Sequence, residues 1–328
     1  MLGFLGALAT LASVAVWLWA APAAGPDADA PRGRLVLGLH PPERVAVMDL
    51  ANGRMVERRL PGGALCHGPL MAGAGRVVFG GSSHGRPALM SYRLDLSGPA
   101  RILGRGDLYE PSTKGRMWLG RLRRLRYGRD IRLESVREVD RRGRVLLHRR
   151  TAPAGYPVGG AVGGLVLQHG SGLRAWNPRR GGPRRLTPRR GARAQFVAGS
   201  ARRVAWCRGT CHTLRVGAAA IRPPTGFSGF YDAGAFSPDG SSLAVGLQEH
   251  RGSAGVRIAL VRPSDRTVTV LSGPRAANHS ALAWSPGGEW LFVPVGGRRI
   301  AAHRLSDGRT LVLPFRLPDR VLSIAAVE

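Results

Sequence analysis

A chain of 328 residues, 44% of them hydrophobic, has apolar material for one large domain or two ordinary ones. Its 47 glycines and 24 prolines argue against a bundle of long helices and for many short strands joined by turns. Lysine and arginine total 49 against 20 acids, and Lys114 is the only lysine, so the formal charge of +29 is an arginine charge. A GC-rich coding sequence accounts for arginine over lysine but not for the shortage of acids, and an excess this large sets up a field that attracts anionic surfaces.

Residues 2–21 carry no charged side chain, with Thr10 and Ser13 the only hydroxyls, and Trp17 and Trp19 lie toward the far end. Twenty such residues match the roughly 20 that cross a bilayer as a helix, with indoles favoured at the interface. Residues 1–21 are therefore read as an N-terminal hydrophobic helix, either a signal peptide or a membrane anchor. Ala21-Pro22-Ala23 is an A-x-A-like cleavage site, and residues 22–32 read as a linker. A buried core helix is the plainer alternative, against which stands the lack of a polar face.

From Gly33 to Glu328, short apolar runs alternate with turn residues and no helical period persists. Val36, Val78, Trp118, Val166, Ala205, Val245 and Val293 occupy equivalent places in successive units, at spacings of 42, 40, 48, 39, 40 and 48 residues. Units of roughly 40–45 residues with four strands each are the mark of propeller blades. The prediction is an all-β, seven-bladed β-propeller over residues 33–328. A last strand, Val321 to Val327, is placed to complete the first or last blade and remove an open edge. A two-sheet sandwich is the alternative, and seven near-equal units fit it poorly.

Two units share a turn. Phe236-Ser237-Pro238-Asp239-Gly240 recurs 48 residues on as Trp284-Ser285-Pro286-Gly287-Gly288. An aromatic ends one strand, proline presets φ, glycine supplies the positive φ that follows, and an apolar strand resumes. These two copies resemble the turn of the WD40-like, TolB-type β-propeller repeat, over about 90 residues of the chain. Gly287 replaces Asp239 in the second copy, and no Trp-Asp dipeptide ends the third strands, so the pattern departs from the orthodox WD40 repeat. The resemblance implies a rigid disc that presents loops to partners, ordinarily without chemistry of its own.

Candidate chemistry is sparse. Cys207 and Cys211 flank a three-residue turn, and such a hairpin brings two Cα atoms near disulfide range, so a local disulfide is expected in an exported chain. Haem attachment before His212 and a zinc set with Cys66-His67 are the rival readings, the first off in spacing and the second remote in sequence. Gly81 to Gly85 matches G-x-S-x-G around Ser83, but a strand follows where a nucleophile elbow needs a helix. No catalytic, metal or cofactor set emerges. Two basic runs stand out: Arg121, Arg123, Arg124 and Arg126, then Arg179, Arg180, Arg184, Arg185, Arg189 and Arg190. They are candidates for one patch toward anionic lipid, cell-envelope polymer or nucleic acid, against the plainer reading of solvated surface.

The resulting expectation is an extracytoplasmic, secreted or membrane-anchored, non-enzymatic binding scaffold at the cell envelope. A propeller enzyme with a central-channel site and a basic nucleic-acid-binding propeller are the alternatives. The partner is expected to be an envelope protein or an anionic polymer or lipid surface, and nucleic acid is disfavoured because aromatic residues make up only 6%.

Overall fold

The computed structural model describes residues 15–17, 30–41, 43–60, 70–83, 86–112, 115–124, 131–188, 191–250 and 255–328. In chain order the strands begin with β1 (Ala15–Trp17), then β2 (Arg34–His40), β3 (Arg44–Asp49) and β4 (Met55–Arg59) of the first blade. The second blade is β5 (Met71–Gly73), β6 (Arg76–Ser83), β7 (Arg86–Arg93) and β8 (Arg101–Arg105). The third is β9 (Leu108–Pro111), β10 (Met117–Arg124), β11 (Ile131–Val139) and β12 (Val145–Arg149). The fourth is β13 (Tyr156–Ala161), β14 (Gly164–His169), β15 (Gly172–Trp176) and β16 (Arg184–Arg185). The fifth is β17 (Ala194–Gly199), β18 (Val204–Arg208), β19 (Leu214–Val216) and β20 (Ala219–Ile221). The sixth is β21 (Phe227–Phe236), β22 (Leu243–Glu249), β23 (Arg257–Arg262) and β24 (Thr267–Val270). The seventh is β25 (Ala283–Trp284), β26 (Trp290–Val295), β27 (Arg299–Arg304) and β28 (Thr310–Val312), and β29 (Arg320–Val327) returns to β2.

Seven antiparallel sheets result, and the architecture is an all-β, seven-bladed propeller with four-stranded blades. The C-terminal β29 supplies the inner strand of the first blade, in the order β29-β2-β3-β4, with β1 beside β4 at the outer edge. Of the apolar N-terminal segment, only Ala15–Trp17 is described, as this short strand; the remainder of the expected helix lies outside the described residues. Among the described residues there is no helix, and so none long and apolar enough to cross a membrane.

The second strand of each blade carries the fold. Leu35, Leu37 and Leu39 of β2 pack on one side against Phe292 and Ala302 of the seventh blade. Val36, between them, packs on the other side against Phe79 and Met90 of the second. Period-two alternation sends successive side chains to opposite faces, and both faces meet a neighbouring blade, so these strands are apolar throughout. The same interleaving repeats at every seam, with seven apolar clusters that close the ring. All seven residues used to index the repeat lie in second strands.

The first strands of adjacent blades touch one another and surround the axis: β9 with β13, β13 with β17, β17 with β21, β21 with β25, and β29 with β25 and β5. Antiparallel order places the first-to-second and third-to-fourth turns on one face of the disc, here the turn face. The second-to-third hairpins and the connections between blades lie on the other, the connection face. On the turn face a side-chain oxygen of Asp49, Asp95, Asp140, Asn177, Asp265 or Asp307 accepts from the backbone N–H two residues on, bracketing the third-to-fourth turn in six blades. Five of these six Asx turns consume acidic side chains in architecture on one face.

Candidate functional site

A cleft opens on the connection face where the sixth, seventh and first blades meet. Its geometry starts in β21, whose pairing with β22 skips from Phe230–Leu247 to Gly234–Val245, so Tyr231, Asp232 and Ala233 stand opposite Gly246 alone. A bulge of this kind bends a strand and re-aims its side chains. Gly246 makes room for it: a Cβ there would lie 3.0 Å from the Tyr231 ring and 3.1 Å from His279. His279 stacks on Tyr231 with centroids 4.4 Å apart and planes 25° apart, and its Nε2 is 4.0 Å from Asp232 Oδ1.

The segment carrying His279 is sewn to two blades. Ala276 and Val256 exchange backbone hydrogen bonds at 2.8 and 2.9 Å, and the Ala277 N–H donates to Pro294 O at 2.8 Å. Asn278 Nδ2 reaches toward Val321 O and Leu322 O of β29, each at 3.4 Å. From the β26–β27 hairpin, Arg298 sits at φ +59°, its carbonyl accepts from Leu317 N–H at 2.8 Å, and its guanidinium donates to Pro318 O. Asp319 pairs with Arg44, which also holds Glu57. The cleft has a volume of about 410 Å³ and is lined by Asn278, His279, Arg298, Arg299, Asp319 and Arg320 among others. Three arginines thus line the cleft with one carboxylate, Asp319, which is already engaged with Arg44. Arg320 is exposed, and among the described residues no acceptor meets its side chain.

A second titratable group lies on the inner ring. Glu110 of β9 stands across from Trp118 of β10, which stands across from Glu138 of β11, a row on one side of the third blade. Enclosure between inner strands pushes the Glu110 carboxyl up to about 7, opposed by a hydrogen bond accepted from the Gly160 backbone. Glu138 is 1% exposed; it accepts from Ser112 Oγ at 2.8 Å, pairs with Arg179 of the fourth blade and has Arg116 at 3.9 Å. Among the described residues, no cluster of three or more His, Cys, Asp or Glu is arranged to hold a metal ion.

The residues singled out from sequence fall in several places. Cys207 and Cys211 form a disulfide across the β18–β19 turn, with Cα atoms 5.0 Å apart and both residues buried. Cys66 and His67 lie outside the described residues. Ser83 ends β6 and faces Arg86 across a hairpin, with a strand following. The two repeat turns share one geometry: Ser237 N–H donates to Ser242 O and Ser285 N–H to Trp290 O, both at 2.8 Å. Gly240 and Gly288 take φ of +73° and +77°. Ser237 Oγ donates to Asp239 Oδ1 at 2.6 Å, which holds the Asp239 carboxyl down at about 2. Gly287 leaves the second copy without that bracket. Trp284 Nε1 donates to Ala235 O at 2.9 Å, tying the two blades together. Ser200 plays the corresponding part in a turn two residues shorter, accepting at Oγ from Arg203 N–H at 2.9 Å, without the proline that made the others visible.

The basic runs divide between the two faces. Arg179 and Arg180 occupy a third-to-fourth turn, on the turn face, and Arg179 is held by Glu138. Glu138 lies opposite Trp118, and Arg121 and Arg123 stand three and five residues further along β10, about 10 and 17 Å toward the connection face. Arg121 has Glu134 at 3.5 Å. Arg184 and Arg185 form the outer edge strand of the fourth blade. Arg126, Arg189, Arg190 and the side chain of Arg124 lie outside what is described.

No family model matches the chain, and no curated protein resembles it in sequence. Solved structures do resemble it. Apo AztD from Citrobacter koseri aligns with a TM-score of 0.54 and 11% identity, over 90% of this chain and 98% of its own. An oligogalacturonate lyase in complex with manganese aligns with a TM-score of 0.55 and 17% identity, over 85% of each chain. TolB from Acinetobacter baumannii aligns with a TM-score of 0.49 and 16% identity, over 89% of this chain and 66% of its own, so this chain spans about two thirds of that protein. At identities this low the likeness is one of fold. What the chain shares with these proteins is the architecture of the β-propeller.

Proposed function

We propose that this protein is a non-enzymatic binding scaffold of the cell envelope, a rigid disc that holds a partner bearing acidic groups on its connection face. The basic cleft at the junction of the sixth, seventh and first blades carries the reading. A concave site of about 410 Å³ with convergent polar groups is of the size that binds ligands. Arg121 and Arg123 add positive charge toward the same face, while the Asx-turn carboxylates are spent on the opposite one. The buried Cys207–Cys211 bridge suits an oxidising compartment outside the cytoplasm. Residues 2–21 are proposed to export the chain or tether it to the membrane.

A photo-reactive residue introduced at the exposed Ala277 tests this in intact cells. The expected product is a cross-link to an envelope protein or polymer, reduced when salt is raised past the range where the Debye length falls below about 8 Å. Recovery of DNA or RNA alone would turn the reading toward a nucleic-acid-binding propeller.

A further inference from the structure

We infer that the cleft takes an acidic sugar unit, a pyranose bearing a carboxylate or a phosphate; this rests on the reading of the cleft as the binding site. Two independent features converge there. The first is charge. Arg298, Arg299 and Arg320 line the cleft, and Arg298 is fixed by its own hydrogen bond to Pro318 O beside Arg320. Guanidinium groups present planar forks that match carboxylate and phosphate oxygens.

The second feature is an aromatic surface. The β21 bulge delivers Tyr231 against His279; both rings are half-buried, and His279 itself lines the cleft, so the stacked pair borders it. A pyranose has a flat face of C–H groups that covers such a ring, while its hydroxyls need neighbouring donors and acceptors. Asn278 and the Asp232 carboxylate, 63% exposed, stand beside the rings to supply them. A simple counter-ion would use the arginines and leave the rings without a role. A neutral sugar would use the rings and leave the Arg320 guanidinium without an anionic partner.

Calorimetric titration of the full chain with glucuronate, glucose 6-phosphate, glucose and inorganic phosphate decides the matter. At least one acidic sugar is expected to bind tenfold or more tightly than both glucose and inorganic phosphate, and which one it is identifies the anionic group. Arg320→Ala, at an exposed position, is expected to weaken that binding at least tenfold, with Arg320→Lys recovering part of it. Tyr231→Leu, which keeps bulk and removes the ring, is expected to weaken the acidic sugar but not inorganic phosphate. Equal binding of all four probes, no binding of either acidic sugar, or an unchanged affinity in Arg320→Ala would overturn the inference. If neither acidic sugar binds while the Ala277 cross-link still captures an envelope partner, the ligand class falls and the docking site stands.

Discussion

Arg179 of the fourth blade crosses the seam to Glu138 of the third, a carboxylate that is 1% exposed. The pair joins two blades at a point where the apolar interleaving gives way to polar groups. Removing the cation leaves Glu138 with Ser112 and the more distant Arg116. Breaking a fully buried pair costs about 3–5 kcal/mol, and here half of that is expected because the Arg179 side chain is 42% exposed and other partners remain. Arg179→Ala is therefore expected to destabilise the fold by about 2 kcal/mol in urea unfolding, and Arg179→Ala with Glu138→Gln by less.

Buried His303 and half-buried Glu110 pull the pH dependence of stability in opposite directions. His303 in β27 is 3% exposed with Nδ1 2.8 Å from Thr310 Oγ1, and burial holds its imidazole down at about 4. The unfolded chain then binds more protons between about pH 6.5 and 4, so this group's contribution is present above 6.5 and is lost as pH falls. Glu110, pushed up to about 7, acts in the opposite sense: the folded chain binds more protons between about pH 4.3 and 7, and stability rises as pH falls. Wild-type stability is expected to be nearly flat between pH 7 and 5. His303→Gln should become more stable as pH drops through that window, and Glu110→Gln less stable, as read by urea unfolding at a series of pH values.

The Cys207–Cys211 bridge closes a very short loop. Chain-entropy arguments assign such a loop about 2 kcal/mol. Peptide mapping without reductant is expected to recover the two cysteines linked. Cys207→Ala with Cys211→Ala is expected to lower the unfolding free energy by that amount while leaving the propeller intact.

Closure depends on β29, whose Val321 and Ile324 enter the cluster shared by the first and seventh blades. A chain ending at Asp319 exposes the edge of β2 and leaves that cluster half-covered. It is expected to lose cooperative unfolding and to aggregate, as seen by circular dichroism melting and size-exclusion chromatography. Adding back a peptide of residues 320–328 is expected to restore part of the transition.

The ring was legible in the sequence because the second strands bury both faces: Val36, Val78, Val166 and their equivalents sit in uninterrupted apolar runs. The role of the last strand was legible for the same reason. The inner strands were not. Met71–Gly73 and Ala283–Trp284 are too short to show a period, and β13 is interrupted by Gly159 and Gly160. Those glycines answer to close approach: a Cβ on Gly160 would lie 2.2 Å from Pro111 O, and one on Gly159 would meet Phe196 at 2.2 Å. The cleft was hidden differently. Tyr231, His279, Arg298 and Arg320 are single residues of three blades, and only ring closure brings them to one rim. The six Asx brackets were in plain view, but as isolated Asp and Asn residues in turns they do not declare themselves a repeat.

Because β29 lies beside β2, the earliest and latest parts of the propeller share one sheet. A chain emerging from the ribosome or through a translocation pore can stack its second to seventh blades as they appear, yet the first must wait with three strands until residues 320–327 arrive. Sealing of the ring is thus timed to the arrival of β29. If the chain is exported, the latch snaps shut on the far side of the membrane, where a sealed disc could no longer slip back through a narrow pore.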